Sequence, residues 1–323
     1  MMDLFETKPL VKICAPMVRY SRLPFRQLVR EYGCDLAFSP MIMADSFVKS
    51  QKYRDIEFTT HPNDNPLIVQ FAAKTPEEFA EAAEYIYNDS SGIDLNCGCP
   101  QRWAIQDGIG ACMLNKPEVV ADILRQTRNR IPDVEYSVSV KIRIFRDLER
   151  TVDLVRQLES AGISFLSVHG RTIKERSEPV NWDTIRTIVD SVSIPVIANG
   201  DINSLEKAYA VQEATRVKGV MVARALLENP GLFAGHSKTP ASCLKRWLEI
   251  NVELGTHFTI FHRHLIHMTE SILTKSERKI FNGLNNREAV IDWLCDRFEF
   301  QLSQCTRLEN NTVLDDSTGV PLM

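Results

Sequence analysis

The sequence predicts an α/β protein, a closed (β/α)8 barrel of the TIM type followed by a small C-terminal helical domain. Short β-rich runs recur from near the start of the chain to about residue 223, and segments with helix-start signals, or excursions of similar length, separate them. Beyond Gly235 the strand runs stop and helical periodicity takes over. Eight strand-and-helix alternations over about 225 residues favour a closed parallel barrel over an open, doubly wound sheet.

In chain order the expected strands are Val11–Ala15, Asp35–Ser39, Pro66–Phe71, Gly92–Asn96, Val138–Arg143, Ser164–His169, Ile194–Asn199 and Lys218–Ala223. Thr75-Pro76-Glu77-Glu78 reads as a capping box with proline at the first helical position. Asn115-Lys116-Pro117-Glu118 carries similar signals ahead of Val119–Arg130. Asp147 precedes the apolar spacing Leu148, Val152, Leu154, Val155 and Leu158, which Gly162 closes after Ala161. From Pro240 to about Phe300 three helical patterns follow: Leu244 to Ile250, Leu265 to Leu273, and Ala289 to Leu294. These set expected boundaries of 1–235 for the barrel, 236–305 for the helical domain and 306–323 for a polar, disordered tail.

Composition narrows the classes. With 44% apolar and 25% charged residues in 323, the chain is an ordinary globule with enough length for a large core. No apolar run approaches the ~20 residues that cross a bilayer, and the N-terminus lacks the apolar centre of a signal peptide. Eight scattered cysteines argue for reduced thiols, and Cys97 and Cys99 have no second close pair to complete a zinc site. These features predict a cytoplasmic or nuclear protein with no metal. A formal charge of −4 does not by itself point to a nucleic-acid partner.

In such a barrel the chemistry gathers where the strands end. Here those ends read Cys14-Ala15-Pro16-Met17, Gln70, Asn96-Cys97-Gly98-Cys99-Pro100, Lys141 with Arg143, His169-Gly170-Arg171, Asn199-Gly200-Asp201 and Ala223-Arg224. Polar side chains recur on one rim while the residues before them are mainly apolar. In Ser137–Ile144 the β-branched residues share one face and Ser, Ser, Lys and Arg the other, so Lys141 and Arg143 should point into the mouth. A buried lysine needs a partner, either an electron-rich ligand or the neighbouring Asp94. Gly200 lets backbone amides approach a ligand, and Ala223-Arg224 opens a short helix, which together suggest a phosphate cradle. A phosphate tail with a polar, redox-tunable ring describes FMN, and no dinucleotide glycine fingerprint is visible.

This ordered set resembles the dihydrouridine synthases, flavin enzymes that reduce uridine to 5,6-dihydrouridine in transfer RNA. The matching stretches are Ala15-Pro16-Met17, Gln70, Asn96 to Pro100, Gly108 with Gly110-Ala111, Lys141-Ile142-Arg143, His169 to Thr172, Asn199 to Ile202 and Ala223-Arg224. They span residues 12 to about 235. The wording around Cys14 to Tyr20 and Cys97 to Trp103 is most similar to the eukaryotic type acting at D-loop positions 20a and 20b.

The resemblance implies roles by position. Pro16, Met17, Gln70, Asn96, Lys141 and His169 would hold the FMN ring, and Asn199, Gly200, Asp201, Ala223 and Arg224 its phosphate side. Cys99 would be the general acid, protonating uracil C5 as reduced flavin delivers hydride to C6; it must therefore stay a thiol. Lys141 is accordingly expected to face the flavin rather than the sulfur. NADPH or NADH would bind transiently as the reductant, and the protein is expected to act as a monomer.

The helical segment matches the family's RNA-binding extension, with the target base flipped into the mouth. Between residues 235 and 323 there are 10 Lys+Arg against 11 Asp+Glu, but from Lys238 to Lys279 the balance is 7 to 4. His262, His264 and His267 lie at helical spacing and could add charge to a local basic face. Arg19, Arg143 and Arg171 are alternative tRNA contacts near the mouth. The competing readings are an FMN reductase of a small free pyrimidine, an RNA binder without catalysis, and a ligand-free structural barrel.

Overall fold

The computed structural model describes residues 1–301. The expected tail and the last residues of the expected helical domain lie outside them. Eight parallel strands close into a barrel: β1 (Val11–Cys14), β2 (Leu36–Phe38), β3 (Leu67–Ala72), β4 (Gly92–Cys97), β5 (Ser137–Arg143), β6 (Phe165–His169), β7 (Val196–Asn199) and β8 (Gly219–Val222). Closure comes from β8 pairing with β1, Cys14 opposite Val222, and from β2 pairing with β3. A two-residue ribbon, Ile42–Met43, adds to the outer end of β3 and was not expected from the sequence. β2 starts one residue later than predicted because the Asp35 carboxylate instead accepts the Lys12 backbone N–H at 2.9 Å.

Alternation along the strands sorts the core into two compartments. Inside the barrel Val11, Ile13, Leu36, Phe38, Ile68, Phe165, Ile197 and Met221 form an apolar floor. Phe5, from the helix Asp3–Thr7, packs on Phe165 with ring centroids 5.5 Å apart and stops the N-terminal end. Burying each such ring contributes about 1.5–3 kcal/mol. Outside, Val138, Val140 and Ile142 of β5 join the helices in a much larger core. The predicted inward direction of Lys141 and Arg143 follows from the outward direction of these three.

The helix signals act mostly as read. Asp147 caps Leu148–Ser160 by accepting the Arg150 N–H, and Gly162 takes a φ of +88° just past its end. Thr75 accepts the Glu78 N–H with Pro76 at the first position, but the box is only half made. Glu78 accepts from Lys74 instead of from the cap residue, at 3.4 Å.

Among the described residues four helices follow the barrel, Ala241–Leu254, Phe258–Thr269, Lys275–Phe281 and Arg287–Phe298. They are welded to the barrel by one continuous core. Ala241–Leu254 packs along Leu23–Glu31, Tyr32 and Ser242 share a hydroxyl hydrogen bond at 2.8 Å, and Arg246 Nε donates to Glu31 at 3.0 Å. His264 fills the seam, its ring centroid 4.7 Å from Phe25 and 4.5 Å from Trp247. This corrects the expectation for the three histidines. His262 and His264 are buried and His267 is half-buried, and burial lowers the pKa of all three, that of His264 to about 3. Burial thus works against the positive charge expected of them, and His264 serves as a packing ring in the seam.

Candidate active site

Parallel register builds the mouth in layers. Gln70 of β3, Asp94 of β4 and Ser139 of β5 are neighbours in one layer. Asn96 lies beside Lys141 in the next, Arg143 beside His169, and His169 beside Asn199. All point inward because each strand's outward set is apolar.

The lower layer is a closed network. The fully buried Asp94 carboxylate accepts the Ser139 hydroxyl at 2.6 Å and Gln70 Nε2 at 2.7 Å. Gln70 Oε1 accepts Asn96 Nδ2 at 2.8 Å. Asn96 Oδ1 in turn accepts the backbone N–H groups of Gly98 at 3.2 Å and Cys99 at 2.9 Å. Burial pushes the Asp94 carboxyl up to about 6, against the Ser139 and Gln70 hydrogen bonds and the Lys141 charge. Gln70 and Asn96, expected to bond a flavin ring, direct these polar groups to each other and to the Cys99 loop.

Cys99 sits half-buried on that loop, whose carbonyls are also gripped. Ala111 N–H donates to Cys99 O at 3.0 Å. Arg143 Nε donates to Gly98 O at 3.0 Å, and its Nη1 donates to Thr172 O at 2.8 Å and Glu175 O at 3.2 Å. Gly110 holds a φ of +62°, and a Cβ there would lie 2.8 Å from Cys99 O, so only glycine lets the two turns meet. The neighbouring Cys97 is buried, which pushes its thiol well up and keeps it inert.

Across the mouth, Lys141 Nζ donates to Asn199 Oδ1 at 3.0 Å, and Asn199 Nδ2 donates to Met221 O at 2.8 Å. Lys141 therefore bonds neither Asp94 nor the Cys99 loop. Burial lowers its pKa to about 8, assisted by Arg143 and opposed by Asp94 and Cys99. His169 is driven down to about 2, first by burial and then by the positive charges of Lys141, Arg143, Arg171 and Arg224. A neutral ring inside four cations is an uncharged hydrogen-bonding group at every physiological pH.

Beside His169 a cavity of about 330 Å³ opens at the ends of β6 to β8, lined in part by Asn199, Gly200, Asp201, Ala223 and Arg224. Gly200 has a φ of +121°, and a Cβ there would meet Val180 at 2.6 Å and His169 at 3.1 Å. Arg224 is exposed at the rim, Pro16 and Met17 lie half-buried after β1, and Met17 packs on the interior cluster.

The three arginines offered for tRNA separate. Arg171 is 2% exposed; its Nη2 pairs with Asp201 at 2.5 Å and its Nε donates to Glu178 O. Arg143 is a brace of the loops around Cys99. Arg19 is exposed, with a φ of +72°. On the C-terminal helices Arg246, Arg278 and Arg297 are in ion pairs, whereas Lys238, Arg263, Lys275 and Lys279 are exposed and in no ion pair among the described residues. The roles of Asp94, Ser139 and Glu175 were missed from sequence. Asp94 lies two residues before Asn96 and so on its face of the strand, a signal that was present, but register with Ser139 was not readable.

Comparison with known proteins bears on this arrangement. The family described as dihydrouridine synthase matches residues 13–313. A mouse protein named tRNA-dihydrouridine(20a/20b) synthase NAD(P)+-like is 53% identical over 92% of this chain and 91% of its own length. The Schizosaccharomyces pombe tRNA-dihydrouridine(20a/20b) synthase is 42% identical over 92% of this chain and 90% of its own. Among solved structures, the old yellow enzyme of Trypanosoma cruzi superposes with a TM-score of 0.51 at 11% identity, covering 68% of this chain and 86% of that one. That likeness speaks to the barrel alone.

Proposed function

The chain belongs to the dihydrouridine synthase family, and on that premise we propose that it reduces uridine to 5,6-dihydrouridine in the D-loop of tRNA, at positions 20a and 20b. The position follows the names of the relatives that match nearly end to end. The observation that carries the chemistry is Cys99, anchored through its backbone on both sides at the lip of a mouth that holds Lys141, His169 and Asn199.

The residues present fit a flavin mononucleotide. The cavity between Gly200 and Arg224 suits its phosphate, since glycine clears the approach and arginine supplies charge. Lys141, pinned by Asn199, suits the electron-rich edge of the ring, and neutral His169 can hydrogen-bond without adding charge. Pro16 and Met17 suit its apolar surface. When bound and reduced by NADPH or NADH, the flavin supplies the hydride for uracil C6. Cys99 Sγ–H gives the proton to C5 and is restored from solvent. Asn96 and Arg143 keep the loop still while it does so, which is the protein's share of the work.

Residues 236–305 are assigned to tRNA binding, with Lys238, Arg263, Lys275 and Lys279 on its phosphates and Arg19 at the mouth. The test is the absorption spectrum of the purified protein, followed by anaerobic NADPH with and without unmodified tRNA. The expected result is a yellow protein that bleaches with NADPH and is reoxidised by tRNA, leaving dihydrouridine. Cys99→Ala should stay yellow and bleach, but lose roughly 10²–10⁴-fold in the tRNA step. Flavin that ignores tRNA in the wild type would instead mean a small-pyrimidine reductase, and a colourless protein that takes up no flavin would rule out the enzyme.

A further inference from the structure

The chain of hydrogen bonds beneath Cys99 has a direction. A carboxylate only accepts, so Gln70 must turn its NH2 toward Asp94 and its carbonyl toward Asn96. Asn96 must then turn its NH2 toward Gln70, which leaves its carbonyl for the Gly98 and Cys99 N–H groups. Flipping either amide would set donor against donor and strand buried N–H groups, at about 1–3 kcal/mol each. Within this relay Asp94 is the acceptor-only end, and the backbone N–H groups of Gly98 and Cys99 are the donor-only end.

We propose that Asp94 is a positioning residue for the proton-transfer step: from inside the barrel it anchors the lower end of the Gln70–Asn96 relay, whose upper end the Gly98 and Cys99 N–H groups hold, and so steadies the seat of Cys99. The inference rests on the reading of Cys99 as the acid. Asp94 itself is fully buried, and among the described residues its carboxylate accepts from Ser139 and Gln70. Lys141, whose charge acts on it, is engaged with Asn199. The effect of Asp94 is therefore carried by orientation.

The experiment compares Asp94→Ala and the isosteric Asp94→Asn with wild type, all as flavin-loaded enzyme. Two quantities are read: amide hydrogen exchange over the segment 96–100, and the two half-reactions, flavin reduction by NADPH and reoxidation by tRNA. With Asp94→Ala, exchange at Gly98 and Cys99 should rise and reoxidation should slow by about tenfold to a hundredfold, the scale of a small misplacement of a reacting group. Reduction by NADPH should stay within about twofold, since hydride transfer to the flavin does not use Cys99. Asp94→Asn can still present its carbonyl to Gln70 and its NH2 to Ser139, so it should recover most of the loss. Unchanged exchange and unchanged reoxidation in Asp94→Ala would overturn the proposal, as would an equal slowing of both half-reactions. A wild type that protects these amides but is never reoxidised by tRNA would defeat the proposed function while leaving the positioning role to the exchange data.

Discussion

Arg143 and Arg171 bring charge into the barrel mouth, yet both direct their hydrogen bonds to the protein's own carbonyls and carboxylates. Alternation on β5 tells which way Arg143 points, but not what it holds; a guanidinium with five donors is as well suited to bracing loops as to gripping phosphate. The histidines repeat the lesson. Their helical spacing was legible, but His264 packs on Phe25 and His267 on Tyr20, partners from the other end of the chain that a local pattern does not reach. For His264 the consequence is measurable. Its folded-state pKa, about 3, lies below the unfolded value near 6.5, so the unfolded chain binds the extra proton as the pH falls through that interval. The neutral ring's contribution is whole above pH 6.5 and is lost on acidification, about 2 kcal/mol by pH 5. His264→Phe should therefore show a smaller drop in Tm between pH 7 and pH 5 than wild type; equal drops would assign the acid sensitivity elsewhere.

Among the elements, the turn after β4 is where a small change should act most locally. Gly110 faces Cys99 O, and its φ of +62° disfavours any side chain. Gly110→Ala should displace the Cys99 loop and lower tRNA-dependent turnover by about tenfold or more, with a loss of global stability of no more than about 1–2 kcal/mol. Denaturant unfolding alongside turnover checks this; a large fall in stability with turnover intact would mean the turn matters for folding alone. The strands themselves were legible because parallel, doubly covered runs are rich in Val and Ile. What their sequence could not supply was register, and register is what makes Gln70, Asp94 and Ser139 one layer and joins Lys141 to Asn199 across the mouth.

For the whole molecule, the described helices beyond Gly235 share one continuous core with the barrel. Composition records where strands stop; it holds no trace of His264 packing between Phe25 and Trp247, or of Arg246 reaching Glu31. A chain ending at Gly235 would uncover Tyr20, Phe25 and Tyr32, and should express as an aggregation-prone, destabilised protein, with apolar dye binding well above that of the full chain. A monomeric fragment with the full chain's Tm would show that the barrel stands alone.

The cations that keep His169 neutral also give the molecule a polarity of another kind. The chain is acidic overall, at −4, yet Lys141, Arg143, Arg171 and Arg224 converge on one end of the barrel. Charge gathered at one end should orient a long polyanion before it holds one, a compass before a glue. Salt, which shortens its reach to about 8 Å at physiological strength, blurs the bearing as well as the pull.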